Sequence, residues 1–274
     1  MIRLLAVDMD GTCLDRRSRL TDKTLRALKK AADAGILVVP ATGRALTCLP
    51  HKLAGRTDIY RYVISSNGAR LTDCNTCNSL SEAMIPKEDA LSLLKQVRKE
   101  KLGVTSHIRY QYLLQGRNLV AMGRLIYGKD AGGVYHVKNM VETVEKTHYG
   151  VEELQFYFLA PSSRERIRQI LEGYPSLQAA YTKIYVEVFS KKASKGKALA
   201  DLQDILGISQ EETACIGDGE NDLSLFEVSG LRMAVGNAVP ELKEHADIVL
   251  PGNQKDGAAT GIEKILQMRQ GGTR

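Results

Sequence analysis

The chain has 274 residues, 43% of them hydrophobic and 26% charged, with a formal net charge of +6. That is enough for one or two globular domains whose core needs neither disulfides nor a structural metal. No apolar run approaches the roughly 20 residues of a membrane span, and the first residues enter a strand rather than a signal peptide, so the expected location is cytoplasmic and off the membrane. The positive excess is diffuse: from Lys95 to Lys146, ten Lys/Arg stand against four Asp/Glu without a dense basic block. Such a spread attracts small anions and gives little reason to expect nucleic acid as a partner.

In chain order, Ile2 to Val7 is a near-continuous apolar run of strand length, as expected of a parallel strand buried on both faces. It runs into Asp8-Met9-Asp10-Gly11-Thr12, which places Asp8 at the carboxyl end of the strand, where open α/β sheets hold ligands. In a regular strand Asp8 and Asp10 would share a face. Two carboxylates so close repel, so either a cation sits between them or one holds a proton. Taken alone, the same residues also fit an ordinary Asp-Gly turn.

Thr21 is placed to cap a helix, with Leu20 and Leu25 as a hydrophobic staple. Leu25, Leu28 and Ala32 repeat at helical spacing, and Gly35 supplies the stop. A second buried strand, Ile36 to Val39, ends in Pro40-Ala41-Thr42-Gly43-Arg44. Strand, helix, strand in this order is a βαβ unit with parallel strands, so Thr42 is expected at the same sheet edge as Asp8. A short helix and a third strand, Tyr62 to Ser66, follow. Cys74-x-x-Cys77 then falls in what reads as a turn after Leu71-Thr72-Asp73. The five cysteines include no second pair to complete a zinc site, and the pair reads as structural.

Near Glu82 the pattern changes. Pro86 opens a helix with Ala90, Leu91, Leu94 and Val97 on one stripe, and alternating segments from Val104 to Val120 predict antiparallel strands. Residues 121–150 show loop signals around Gly128-Lys129-Asp130-Ala131-Gly132-Gly133. Leu154 to Ala160 reads as a strand, Arg164 to Leu171 as a helix and Ala179 to Phe189 as a strand or hairpin. This is α+β grammar, and residues 83–189 are read as an inserted domain. Strict alternation then returns. Lys195-Gly196-Lys197 opens a helix closed by Gly207, and Thr213 to Ile216 is a strand entering Gly217-Asp218-Gly219-Glu220-Asn221-Asp222. The fold expected is α/β: a doubly wound, mainly parallel Rossmann-like core from residues 1–82 and 190–274, with an inserted α+β cap.

Four polar stations therefore fall at strand ends or helix starts: Asp8/Asp10, Thr42-Gly43, Lys195, and Asp218 with Asn221 and Asp222. The carboxylates supply hard oxygen ligands of the kind Mg²⁺ takes. Thr42 offers a hydroxyl and backbone N–H groups, Lys195 a compact positive charge and Asn221 an amide donor, all suited to a phosphoryl oxygen. An aspartate can attack phosphorus covalently, and a cation relieves the repulsion between carboxylate and phosphate dianion.

The ordered set Asp8-x-Asp10-Gly11-Thr12, Thr42-Gly43-Arg44, Lys195-Gly196 and Gly217-Asp218-x-x-Asn221-Asp222 resembles the haloacid-dehalogenase-like superfamily. Within it the chain is most similar to the Cof-type branch of sugar-phosphate phosphatases, and Ser66-Asn67-Gly68-Ala69 and Val235-Gly236-Asn237-Ala238 extend the likeness. The resemblance implies Mg²⁺-dependent hydrolysis of small phosphorylated metabolites through an aspartyl-phosphate. By position, Asp8 matches the nucleophile and a metal ligand. Asp10 matches the general acid/base, its backbone carbonyl facing the metal. Asp218 matches the second carboxylate ligand, and Asp222 joins the metal set by orienting the waters or Lys195. Thr42, Gly43, Lys195, Asn221 and the Met9 amide would bind the phosphoryl group. Arg44 would face either the substrate or a neighbouring carboxylate. In the cap, Arg109, Tyr110, Tyr112, Arg117 and Arg124 are possible leaving-group contacts, while His107, His136 and His148 show no ligand spacing. A phosphomutase of the same superfamily, a phospho-ligand-binding protein without turnover and a nucleic-acid end phosphatase stand as alternatives. A monomer or small homo-oligomer is expected.

Overall fold

The computed structural model describes residues 1–271. The apolar run at the amino terminus forms β1 (Leu4–Asp8), buried at every position. Helix α1 (Asp22–Asp33) begins where the Thr21 side chain accepts from Thr24 N, and it buries Thr24, Ala27, Leu28 and Ala31, one residue round from the stripe the spacing predicts. Strands β2 (Leu37–Ala41), β3 (Tyr62–Ser65), β4 (Arg70–Asp73) and β5 (Asn78–Glu82) follow.

The next elements are α2 (Lys87–Gln96), β6 (Leu102–Ile108), β7 (Gln111–Gln115), α3 (Arg117–Tyr127), β8 (Val134–Val137), α4 (Met140–Lys146), β9 (Val151–Phe158), α5 (Ser163–Leu171), β10 (Leu177–Tyr181) and β11 (Tyr185–Ser190). The chain ends with α6 (Lys195–Leu206), β12 (Thr213–Gly217), α7 (Leu223–Glu227), β13 (Leu231–Ala234), α8 (Pro240–Glu244), β14 (Ile248–Val249) and α9 (Gly257–Gly271). No helix of the described residues is long and apolar enough to cross a membrane.

Two compact units result. The first holds residues 1–43, 50–82 and those from Ser194 onward. Its sheet has the order β14-β13-β12-β1-β2-β3-β4-β5, parallel from β14 to β3 and antiparallel at β3-β4 and β4-β5. β1 is paired along both edges and buried at every position, and burial of both its faces is why its residues read as continuously apolar.

The second unit holds Arg44–Leu49 and Ala83–Ala193. Its sheet has the order β10-β11-β9-β6-β7-β8, antiparallel except for β7 with β8. An apolar cluster joins Val104, Ile108, Leu154, Phe156, Val186 and Val188 of the sheet to Ala90 and Leu93 of α2, Met140 and Val144 of α4, and Ile167 of α5. The strand pattern expected to run to Val120 stops at Gln115. Gly116, at φ +92°, turns the chain and α3 begins. Val120 then packs with Leu114, Val134, Tyr112, Ala45 and Cys48. Arg44–Leu49 is bound into this unit by Thr47, whose N and Oγ1 both donate to the Tyr110 carbonyl (3.1 and 2.6 Å).

Candidate active site

Parallel pairing sets the frame. Asp8 lies opposite Ala41 of β2, and Val7 opposite Ile216 of β12. Parallel strands end together, so Asp8, Thr42 and Asp218 gather at one sheet edge.

The chain does not leave β1 as a strand. Met9–Cys13 form a wide turn closed by Leu14 N donating to Met9 O (2.9 Å), with Gly11 at φ +84°. Asp8 is therefore buried, at 4% exposure, while Asp10 is exposed, and the shared face expected of a regular strand is not formed. Gly11 is required for space as well as conformation, since a Cβ there would lie 2.2 Å from Asp218 Oδ2.

Lys195 is the first residue of α6, whose start is capped by Ser194 Oγ accepting from Lys197 N (3.0 Å). Gly68, at φ +90°, lets the turn after β3 press on this start, because a Cβ there would meet Ser194 O at 2.1 Å. The Lys195 side chain is 1% exposed, and its Nζ donates to Asp8 Oδ1 and Asp222 Oδ1, each at 2.7 Å. Asp222 Oδ2 accepts the backbone N–H groups of Asp218 (2.9 Å) and Gly219 (3.0 Å). Both oxygens of Asp222 are thus engaged in holding Lys195 and the turn after β12.

Three residues without an assigned role complete the arrangement. Thr12 Oγ1 donates to Asp218 Oδ1 (3.1 Å), Asn67 Oδ1 accepts from Asn221 Nδ2 (3.0 Å), and Asn237 Nδ2 donates to Gly11 O (2.8 Å). Asn67 and Asn237 sit in the short Asn-Gly and Gly-Asn stretches quoted for the family likeness. A polar residue in a turn carries no further sign of which distant turn it meets.

Burial pushes the Asp8 carboxyl well above the ordinary range, and Asp222 and Asp218 add to the shift against the pull of Lys195. Asp218 is pushed up to about 6 by burial and then by Asp222, with the Thr12 hydrogen bond opposing. Burial alone would lower the Lys195 ammonium, but Asp222 and Asp8 outweigh it and hold it above its usual value. Negative charge is in excess here. Asp8, Asp218 and Asp222 each place one carboxylate oxygen within 4.8 Å of the others, and Asp8 Oδ2 is buried with no hydrogen-bond partner. Hard oxygens around an unsatisfied carboxylate fit a small divalent cation such as Mg²⁺.

The remaining expected residues are less uniform. Met9 is fully buried. The Thr42 amide donates to Ile64 O (2.9 Å), so the N–H expected there for a ligand is instead used in the sheet. Gly43 lies against the Asn67 side chain, where a Cβ would come within 3.1 Å of Oδ1. Asn221 is exposed. Arg44 belongs to the second unit, where its Nη1 lies 3.5 Å from Asp130 Oδ2 and donates to Cys48 O (3.2 Å). Also in that unit, Arg109 lies over the Tyr149 ring at 4.5 Å, Arg117 and Arg124 are exposed, and Tyr112 is buried. Burial pushes the His107 imidazole down to about 3, leaving it neutral.

Comparison with known proteins gives the family and the fold. The family model described as haloacid dehalogenase-like hydrolase matches residues 5–262. A 5-amino-6-(5-phospho-D-ribitylamino)uracil phosphatase of Bacillus subtilis is 28% identical, over 97% of this chain and 98% of its own. The solved structure of a haloacid dehalogenase-like hydrolase from B. subtilis aligns with TM-score 0.81 at 27% identity, over 96% of this chain and 99% of that one. A sugar phosphatase of subclass IIB shares the fold, with TM-score 0.79 at 22% identity over 96% and 98% of the two chains.

Proposed function

The chain belongs to the haloacid dehalogenase-like hydrolases and is a phosphatase, and from that premise we propose that it hydrolyses small phosphorylated metabolites through a phosphorylated Asp8. Residues 1–82 and 190–274 would form the catalytic core, and residues 83–189 would select the substrate. The uracil-derivative phosphatase among its relatives acts on a phosphorylated small molecule, which supports that substrate class.

Asp8 and Asp218, with the Asp10 backbone carbonyl, would hold Mg²⁺. When bound, the ion would offset the repulsion between carboxylate and phosphate and polarise the phosphoryl oxygens. Lys195 has three protons; two go to Asp8 and Asp222, leaving one for a phosphoryl oxygen. In the first step an Asp8 oxygen attacks phosphorus, the bond from phosphorus to the leaving oxygen breaks, and Asp10 gives that oxygen its proton. In the second, Asp10 takes a proton from water, whose oxygen attacks phosphorus. The bond to Asp8 breaks, restoring the carboxylate and releasing phosphate. The exposure of Asp10 suits a group that must meet both leaving alcohol and water. Asp222 orients Lys195 and the Asp218–Gly219 backbone.

The observation that carries this reading is Asp8 Oδ2, buried and unpartnered in a carboxylate beside Lys195. Asp8→Asn is expected to lower turnover by about 10⁴-fold or more with an unchanged circular dichroism spectrum. Rapid quench with radiolabelled substrate should leave phosphate on Asp8 of the unaltered protein. Turnover of the variant within tenfold of the parent would overturn the phospho-aspartate route.

A further inference from the structure

Cys74 and Cys77 bracket the turn between β4 and β5, outside the site above. We propose that they close an intramolecular disulfide when the protein meets a small-molecule disulfide such as oxidised glutathione. Asp73 is paired with Asn78, so Cys74 to Cys77 form a four-residue hairpin loop. The ends of such a loop approach to within about 7 Å, matching the roughly 4.4–6.8 Å between Cα atoms that a disulfide spans. The loop is pinned at its base. Arg61 Nη2 holds Asp73 at 2.8 Å, Asp73 Oδ1 accepts from Asn75 N (3.0 Å), and Cys74 N donates to Arg61 O (2.8 Å).

Cys77 sits at φ +58°, a left-handed conformation that a side-chain-bearing residue seldom takes. This folds its Sγ back to 3.9 Å from Cys74 O, so the sulfur lies over the turn. Cys77 is exposed and Cys74 half-buried. Burial pushes the Cys74 thiol up to about 11, with the nearby Asp73 carboxylate and Cys77 sulfur adding to it. A metal site is a poorer reading, since the cysteines join no group of three potential ligands among the described residues. Cys13, Cys48 and Cys215 are buried and offer no competing route.

The chemistry balances as two exchanges. The Cys77 thiolate attacks one sulfur of the external disulfide, forming a mixed disulfide and releasing one glutathione thiolate. Cys74 then loses its proton and attacks the Cys77 sulfur, releasing the second. Two protein thiols are oxidised and one disulfide is reduced.

The full chain incubated with oxidised glutathione should lose about 2 Da and two titratable thiols, and peptide mapping should recover Cys74 linked to Cys77. Cys74→Ser should stop at one glutathionyl group on Cys77, and Cys77→Ser should leave Cys74 unmodified. The proposal fails if the parent chain keeps both thiols, or if it accumulates a stable glutathione adduct on Cys77.

Discussion

Each unit buries a polar cluster, and the two clusters are satisfied in opposite ways. In the second unit, Gln155 Oε1 accepts from Thr105 Oγ1 (3.2 Å) and Tyr112 OH (2.7 Å), and its Nε2 donates to Glu153 Oε1 (2.6 Å). The Tyr112 and Tyr157 hydroxyls meet at 2.9 Å, so the network closes on itself through side chains. In the first unit, two of three clustered carboxylates, Asp8 and Asp222, share Lys195, Asp8 Oδ2 has no partner, and Asp8 and Asp218 are held above their ordinary values. Completed networks fix shape, whereas an incomplete one with surplus negative charge fits a cation.

Removing the one lysine that opposes the carboxylates should have the largest effect. Lys195→Met leaves buried carboxylates uncompensated and should cost about 3–5 kcal/mol in urea denaturation of the metal-free protein near neutral pH. The loss should shrink in acid as the carboxylates take up protons. A variant as stable as the parent at pH 7 would mean that the excess charge is not felt.

Next comes the closed network. Tyr112→Phe removes one donor to Gln155 and the partner of Tyr157, and should cost about 1–3 kcal/mol, read by the same denaturation. It should leave the response to Mg²⁺ untouched, and a changed response would break the contrast between the clusters.

The smallest effect expected is the metal's own dependence on pH. A carboxylate raised in the folded state binds its proton more tightly than in the unfolded chain. Its stabilising contribution is therefore present below the ordinary carboxylate range and lost as pH rises through the folded value, about 6 for Asp218. The metal-free protein should thus lose this contribution from about pH 4 up to about pH 7, as the folded carboxyl gives up a proton the unfolded chain has already lost. A cation needs the ionised form, so stabilisation by Mg²⁺ should grow over the same interval. At ten times its dissociation constant it should reach about 1.4 kcal/mol. A Mg²⁺-induced shift in melting midpoint that is equal at pH 5 and pH 7 would argue against binding at these carboxylates.

Much of the first unit could be read locally. The apolar run before Asp8, the cap at Thr21 and the stop at Gly35 all appear as their residue types require. The second unit was harder. Helix α3 carries Gly123 and Val120 and is announced only by Gly116 in a left-handed turn, so its residues resemble the alternating segments before it. In the first unit, the β4–β5 hairpin is unannounced beyond the turn at Cys74, since its strands are short and largely polar.

By itself the sequence determined which residues could carry the chemistry. Acidic, glycine-flanked strand ends at Asp8 and Asp218 and a lysine opening a helix are local patterns, written in neighbouring residues. Only the tertiary structure decided which of them meet. Lys195 bridges Asp8 and Asp222 across 187 and 27 positions, Asn67 holds Asn221, and Arg44 lies beside Asp130. Such pairings follow from strand order and helix packing, which depend on the whole chain and leave no mark on the residues beside each partner.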